Sequence, residues 1–204
     1  MEVSEDARFL INTSYQAYKR IDVNDKDTFY FNTLVAIFFL GIYLEESIDH
    51  IIDQMNNKYE EMTVYLKPHP PGLLNEFVWY YNEFIAEQNG EPKQEKSNIY
   101  FNKQNLPTTM EKLEKEFEGF TIIYEFRNDI AHGDLDEAIE RIKSEYKAIT
   151  DVDSLRTKAK KITNKLVNIA QDAGYEFIKK DKSFPAAIGT MVRAEPSSSD
   201  IFTE

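Results

Sequence analysis

Apolar residues recur at steps of three and four along most of the chain, the period of helices that bury one face. The stripe Leu34, Ile37, Phe38, Gly41, Ile48, Ile52 and Met55 predicts the longest helix, over about Thr28 to Glu61. Before it, a helix over about Glu5 to Arg20 is expected to turn Phe9, Leu10, Thr13, Ala17 and Tyr18 inward, with a turn at Asp22 to Asp27. A third helix, about Leu73 to Gln88, carries Phe77, Trp79, Tyr80, Tyr81 and Phe84, an aromatic group assigned to packing. A fourth, opened by Thr108 or Thr109, runs through Met110, Leu113, Phe117, Phe120 and Tyr124 to His132. Leu135, Ile139, Ile142, Tyr146 and Ile149 mark a fifth, and Leu155, Ala159, Ile162, Leu166, Ile169, Ala170, Ala173 and Phe177 a sixth, about Asp153 to Lys180.

Breakers separate these stripes. Pro68, Pro70 and Pro71 with Gly72 exclude helix, and Asn89 to Pro107 is a long polar loop with a short extended piece at Ile99 to Phe101. From Ser183 onward periodicity is lost, so residues 183–204 are expected to be a flexible tail, docking at most through Phe184 to Val192. The expected fold is all-α: an antiparallel bundle of about six helices in one domain, residues 1–182. A chain of 204 residues with 42% hydrophobic content supports one core of that kind.

Composition narrows the chemistry. With no cysteine there is no disulfide, thiolate metal site or thiol nucleophile. Met1 to Asp6 is acidic, unlike a secretory leader, and the apolar run Leu34 to Leu44 falls short of the roughly 20 residues that cross a bilayer. A cytoplasmic protein without a membrane segment is therefore expected. The net charge of -12 argues against a non-specific nucleic-acid coat of Lys and Arg, yet residues 156–182 hold eight cations against three anions. Lys158, Lys161 and Lys165 in that stretch are candidate contacts to an RNA backbone; the plainer account is a solvated helix face that complements acidic neighbours.

Two charged residues interrupt the apolar stripes. Arg127 occupies an inward position on the fourth helix, and burying a guanidinium without an anion costs several kcal/mol, on the order of an ion's desolvation. Glu45 stands inward on the second helix, with Glu46 at its edge, which makes Glu45 the first choice and Glu46 the second for the acidic partner of Arg127 or His132. Asn128 and His132 share a helix face about 100 to 140° round from Arg127. Gly133 stops that helix, and Asp134 with Glu137 forms a capping box for the next, so the group lies at a helix-helix corner. There the negative end of the helix dipole favours a protonated imidazole that can trade protons near neutral pH.

Arg127-Asn128-x-x-x-His132, set at the end of an amphipathic helix in an all-helical chain, resembles the signature of the HEPN superfamily (higher eukaryotes and prokaryotes nucleotide-binding domains). The resemblance covers the helical body from roughly residue 5 to 180, and its specific part is the corner motif. It implies a metal-independent endoribonuclease, of the toxin or defence-effector kind, acting without a cofactor as a homodimer with both motifs in one cleft. It also implies roles: His132 as general base or acid, Arg127 as phosphate holder and Asn128 as orienting group; the shared inward phase, not the resemblance, adds Glu45, or else Glu46, in support. Some members carry a Tyr two residues after the His, modified by a partner nucleotidyltransferase. This chain has Asp134 there, which leaves an antitoxin that blocks the cleft by binding.

Two other readings compete. One is a HEPN-like module that binds nucleotide, RNA or a partner protein without cutting. The other is a helical metal site built from Asp129 with His132, or Glu46 with His50, but only one imperfect copy of a carboxylate-histidine motif is present, and no metal is expected.

Overall fold

Helix α2 (Lys26–Glu61) is the axis on which the molecule is assembled. It packs against α1 (Glu5–Lys19), α3 (Leu73–Tyr80), α5 (Phe120–His132), α6 (Leu135–Glu145) and α7 (Ile149–Asp172), while α4 (Leu106–Glu116) packs on α3 and α5. The computed structural model describes residues 4–61, 72–91, 105–145 and 149–173. The proline-rich stretch with His69, the extended piece at Ile99 to Phe101 and the tail from Ser183 lie outside them. Among the described residues the fold is all-α, with seven α-helices and no strand.

The central position of α2 follows from its composition. Ile37, Leu40, Leu44, Ile48, Ile51 and Ile52 are fully buried, each contributing about 1.5–3 kcal/mol by leaving water. By length and composition alone α2 also contains a stretch apolar enough to cross a membrane; in this fold 44% of it is buried, and its inward side chains belong to the core. Helix α1 lies antiparallel to it. Ser4 caps α1 through the Ala7 amide and donates to Glu46 of α2, the Ser14 hydroxyl donates to the Ala36 carbonyl, and Asn32 donates to the Arg20 carbonyl.

The α1 face differs from expectation in part. Ala17 is buried and Leu10 and Tyr18 pack against the core as expected, but Ala7, Ile11 and Ser14 are also inward and Phe9 is 67% exposed. Small residues let the two helices approach closely, and Ser14 is admitted because its hydroxyl finds a carbonyl. The aromatic third helix is buried as expected, but its α-helix ends at Tyr80 and continues as a π-helical turn, Tyr81–Ile85. Tyr80 reaches across the core to donate to the Leu166 carbonyl of α7 at 2.5 Å.

The predicted fourth helix is two helices. It begins at Leu106, ahead of Thr108, with Asn105 at the cap position and Pro107 in the first turn. It then breaks at Phe117, and α5 starts after Gly119, whose φ of 90° is left-handed. Glu114 secures the break: one carboxylate oxygen accepts from the Gly119 amide at 2.8 Å and the other from the Thr121 amide at 3.0 Å. Phe117 and Phe120 both stay buried against Phe77, with ring centres 5.2 and 4.4 Å away, so the apolar period survives the break. The expected fifth helix is α6, ending by Glu145, and α7 already begins at Ile149. Leu135, at the head of the expected α6 stripe, is 49% exposed; Ile142 is buried as expected, with Ala138 beside it on the inward face.

Gly119 also has no room for a side chain, since a Cβ there would lie 2.9 Å from Cδ of Lys158. Gly119→Ala is expected to cost about 1–2 kcal/mol through the left-handed backbone and that contact, read as a lower midpoint in urea unfolding. An unchanged midpoint would show that the elbow between α4 and α5 is not fixed by this backbone conformation.

Candidate functional site at the close of α5

Arg127 owes its position to a glycine on the opposite helix. Where α5 crosses α2, a Cβ on Gly41 would lie 2.5 Å from Cβ and 2.6 Å from Cγ of Arg127, so the stem of the arginine occupies the space that a side chain would take. One turn further along α2, Glu45 Oε2 accepts from Arg127 Nη2 at 2.6 Å. The pairing expected from their shared inward phase is present. Both side chains are 26% exposed, which places the pair at the rim of the core with one side open to water. A charge-assisted bond in that setting is worth about 1–3 kcal/mol.

Glu46, the second choice, faces away from the motif. It accepts from the Ser4 hydroxyl at 3.3 Å at the start of α1, and burial, with help from Asp6, raises its carboxyl above the ordinary range. The next residue along a helix points about 100° round, which is why the two neighbouring glutamates serve different helices.

Asn128, one residue past Arg127, donates through Nδ2 to the Tyr124 hydroxyl at 3.3 Å. Tyr124 stacks on Phe120 with ring centres 5.9 Å apart, and burial raises its phenol. His132 is the last residue of α5 and is exposed, as are Ala131, Gly133 and Asp134. Gly133 ends the helix in the left-handed conformation, φ 84°, as expected. Asp134 follows at the head of α6, and its carbonyl accepts from the Ala138 amide. No hydrogen bond joins Arg127 to His132: the guanidinium is turned to α2 and the imidazole to solvent.

The corner is braced from the other side by Arg141 of α6. Its Nε donates to Asp129 at 3.0 Å and its Nη1 to Glu125 at 2.9 Å, so two carboxylates one turn apart on α5 grip a single guanidinium. Asp129 is thereby committed to an ion pair, and His50 lies 2.5 Å from the Gln54 amide, ring nitrogen to nitrogen. Among the described residues no group of three or more His, Asp or Glu is arranged to hold a metal ion.

The lysines proposed for RNA lie along α7 beside the α4–α5 elbow. Lys158 pairs with Glu118 at 3.0 Å, and Lys165 pairs with Glu116 at 2.5 Å and donates to its carbonyl. Lys161 is exposed and close enough to Glu118 to lower its carboxyl, behind the larger effect of Lys158. Two of the three are thus tied to acidic neighbours on the elbow.

Glu76 was not anticipated. It is 3% exposed on α3, with Oε1 accepting from the Gly72 amide at 3.2 Å and Oε2 buried without a partner. Burial, reinforced by Asp49, Glu45 and Asp53, pushes its pKa up to about 8. The signal was available: Leu73, Glu76, Phe77 and Tyr80 form one inward stripe, the same criterion that singled out Glu45.

Two outcomes are expected. Gly41→Ala should cost about 1–3 kcal/mol, because the new methyl meets the Cβ of Arg127 and the helices must part; equal stability of the variant in urea would mean that the crossing is looser than described. For Glu76, the unfolded carboxyl releases its proton near 4.5 and the folded one near 8. Its contribution to stability is therefore complete below about 4.5 and is lost as pH rises to about 8, at up to about 1.4 kcal/mol per pKa unit. Glu76→Gln should flatten this decline in urea titrations between those limits, and an unaltered slope would refute the assignment. No family model, curated protein or solved structure matches the chain.

Proposed function

We propose that the protein is a metal-independent endoribonuclease of the HEPN type, acting as a homodimer on RNA in the cytoplasm. The observation that carries the proposal is the close of α5, where a guanidinium anchored by Glu45 and partly open to water precedes an exposed imidazole by five residues. His132 would take the proton of the ribose 2′-hydroxyl or return one to the leaving oxygen. Arg127 would stabilise the charge that develops on the phosphate, and Asn128 would orient the phosphate or the imidazole. Cleavage of this kind uses both a base and an acid. Each chain offers one histidine at the corner, and a second copy would supply the other.

In this proposal Glu45 is a positioning residue, and an antitoxin would act by covering the corner. A second reading has its own support: the 2.6 Å pairing with Glu45 already satisfies Arg127, as in a non-catalytic module that binds nucleotide, RNA or a partner. Ion pairs of structural purpose take the same form.

Purified protein incubated with RNA in EDTA should cut it. His132→Ala and Arg127→Ala should each lower the rate about 100-fold or more while helicity by circular dichroism is retained. Glu45→Gln tests the positioning role, since unchanged cleavage would remove Glu45 from the mechanism. Intact RNA after incubation with the wild-type dimer would leave the non-catalytic reading.

A further inference from the structure

A concavity of about 580 Å³ lies between α4, the first half of α5 and the start of α7, toward the end of α5 opposite His132. Met110, Ile122 and Leu155 supply its apolar surface, and Glu111, Glu114, Glu125 and Asp151 line it against one cation, Lys158. That cation is directed to Glu118. Glu114 is fixed, because both its oxygens are held by backbone amides, of Gly119 and Thr121. A pre-positioned anion of this kind needs no reordering to meet a positive group, which lowers the cost of binding.

We propose that this groove binds a lysine- or arginine-bearing peptide segment of a partner protein. An apolar side chain of the segment would lie on Met110, Ile122 and Leu155, with its cationic groups directed to Glu111, Glu114 and Asp151. The charge disfavours the principal alternatives, since RNA phosphates and anionic lipid headgroups would meet Glu111, Glu114 and Asp151, while Glu125 is balanced by Arg141 and Lys158 is drawn to Glu118. A small polyamine satisfies the carboxylates but carries no branched apolar group for the floor. A peptide supplies both, in the manner of segments that place anchors in a groove and charges at its rim. The groove is separate from His132, so the proposal stands or falls independently of ribonuclease activity.

The test uses the full-length protein and a fluorescein-labelled amphipathic peptide of lysine and leucine, followed by anisotropy at low salt. Saturable binding is expected, weakened about tenfold or more by Glu111→Lys combined with Asp151→Lys, as charge reversal at two rim positions should do. Asp27→Lys with Asp172→Lys changes net charge equally at exposed sites elsewhere and should alter affinity no more than about twofold. Circular dichroism checks that all variants keep their helicity. A peptide with glutamine in place of lysine should not bind, and spermidine should compete only at about 100-fold higher concentration, since it leaves the floor bare. Equal weakening by both double variants, equal competition by spermidine, preference for a short RNA, or no binding at all would each overturn the proposal.

Discussion

The ion pair between Arg127 and Glu45 is the constraint around which the corner is organised. A guanidinium cannot shed its charge, so a helix that carries one on its inward face packs only where an anion waits. Helix α2 meets that condition with two residues one turn apart: Gly41 clears space for the arginine's stem, and Glu45 receives its head at 2.6 Å. Neither suffices alone. A side chain at 41 would push the helices apart before the pair could close, and a neutral residue at 45 would leave a charge at the edge of the core.

Once α5 is set on α2 in this way, the remaining geometry of the corner follows. Asn128 falls back toward Tyr124, Asp129 turns outward to be held by Arg141 of α6, and His132 reaches solvent at the last turn. The two guanidiniums oppose each other across α5: Arg127 ties it to α2, Arg141 ties α6 to it. Both are partly exposed, at 26% and 28%, so each pair is weakened by water yet still specifies how the helices meet. The imidazole therefore stands on a rigid support while remaining accessible itself.

What could be read from residue order divides along a physical line. Helix identity and the Arg127–Glu45 pairing were legible because burial repeats with the helical period, and a charge in phase with that repeat must find its opposite. The break at Gly119 was hidden, since Phe117 and Phe120 are both buried and keep an apolar spacing across it. On α1 apolar size points to Phe9, whereas the small residues Ala7 and Ser14 share the buried face with Ile11 and Ala17. Glu46 could not be separated from Glu45 by hydrophobicity; only the place of Ser4 in the fold decides which helix it serves. Lysines on α7 give a basic stretch in one dimension, but the acidic partners of Lys158 and Lys165 come from the elbow 40 and 49 residues earlier, a separation that local charge counting does not cross.

In the proposed reaction one guanidinium, that of Arg127, would serve two anions at once. In the resting chain Glu45 holds a single nitrogen of Arg127, Nη2, and the side chain keeps a quarter of its surface in water. Arginine presents five donors in a planar fork, so in the proposed function a phosphate would bond donors other than Nη2 without displacing the carboxylate. Glu45 would then fix the orientation of the fork and moderate its charge. A pair sealed in the core would offer no such edge and would be structural only. Under the proposed function, partial exposure is the property that would let Arg127 meet substrate as well as lock two helices in a single side chain.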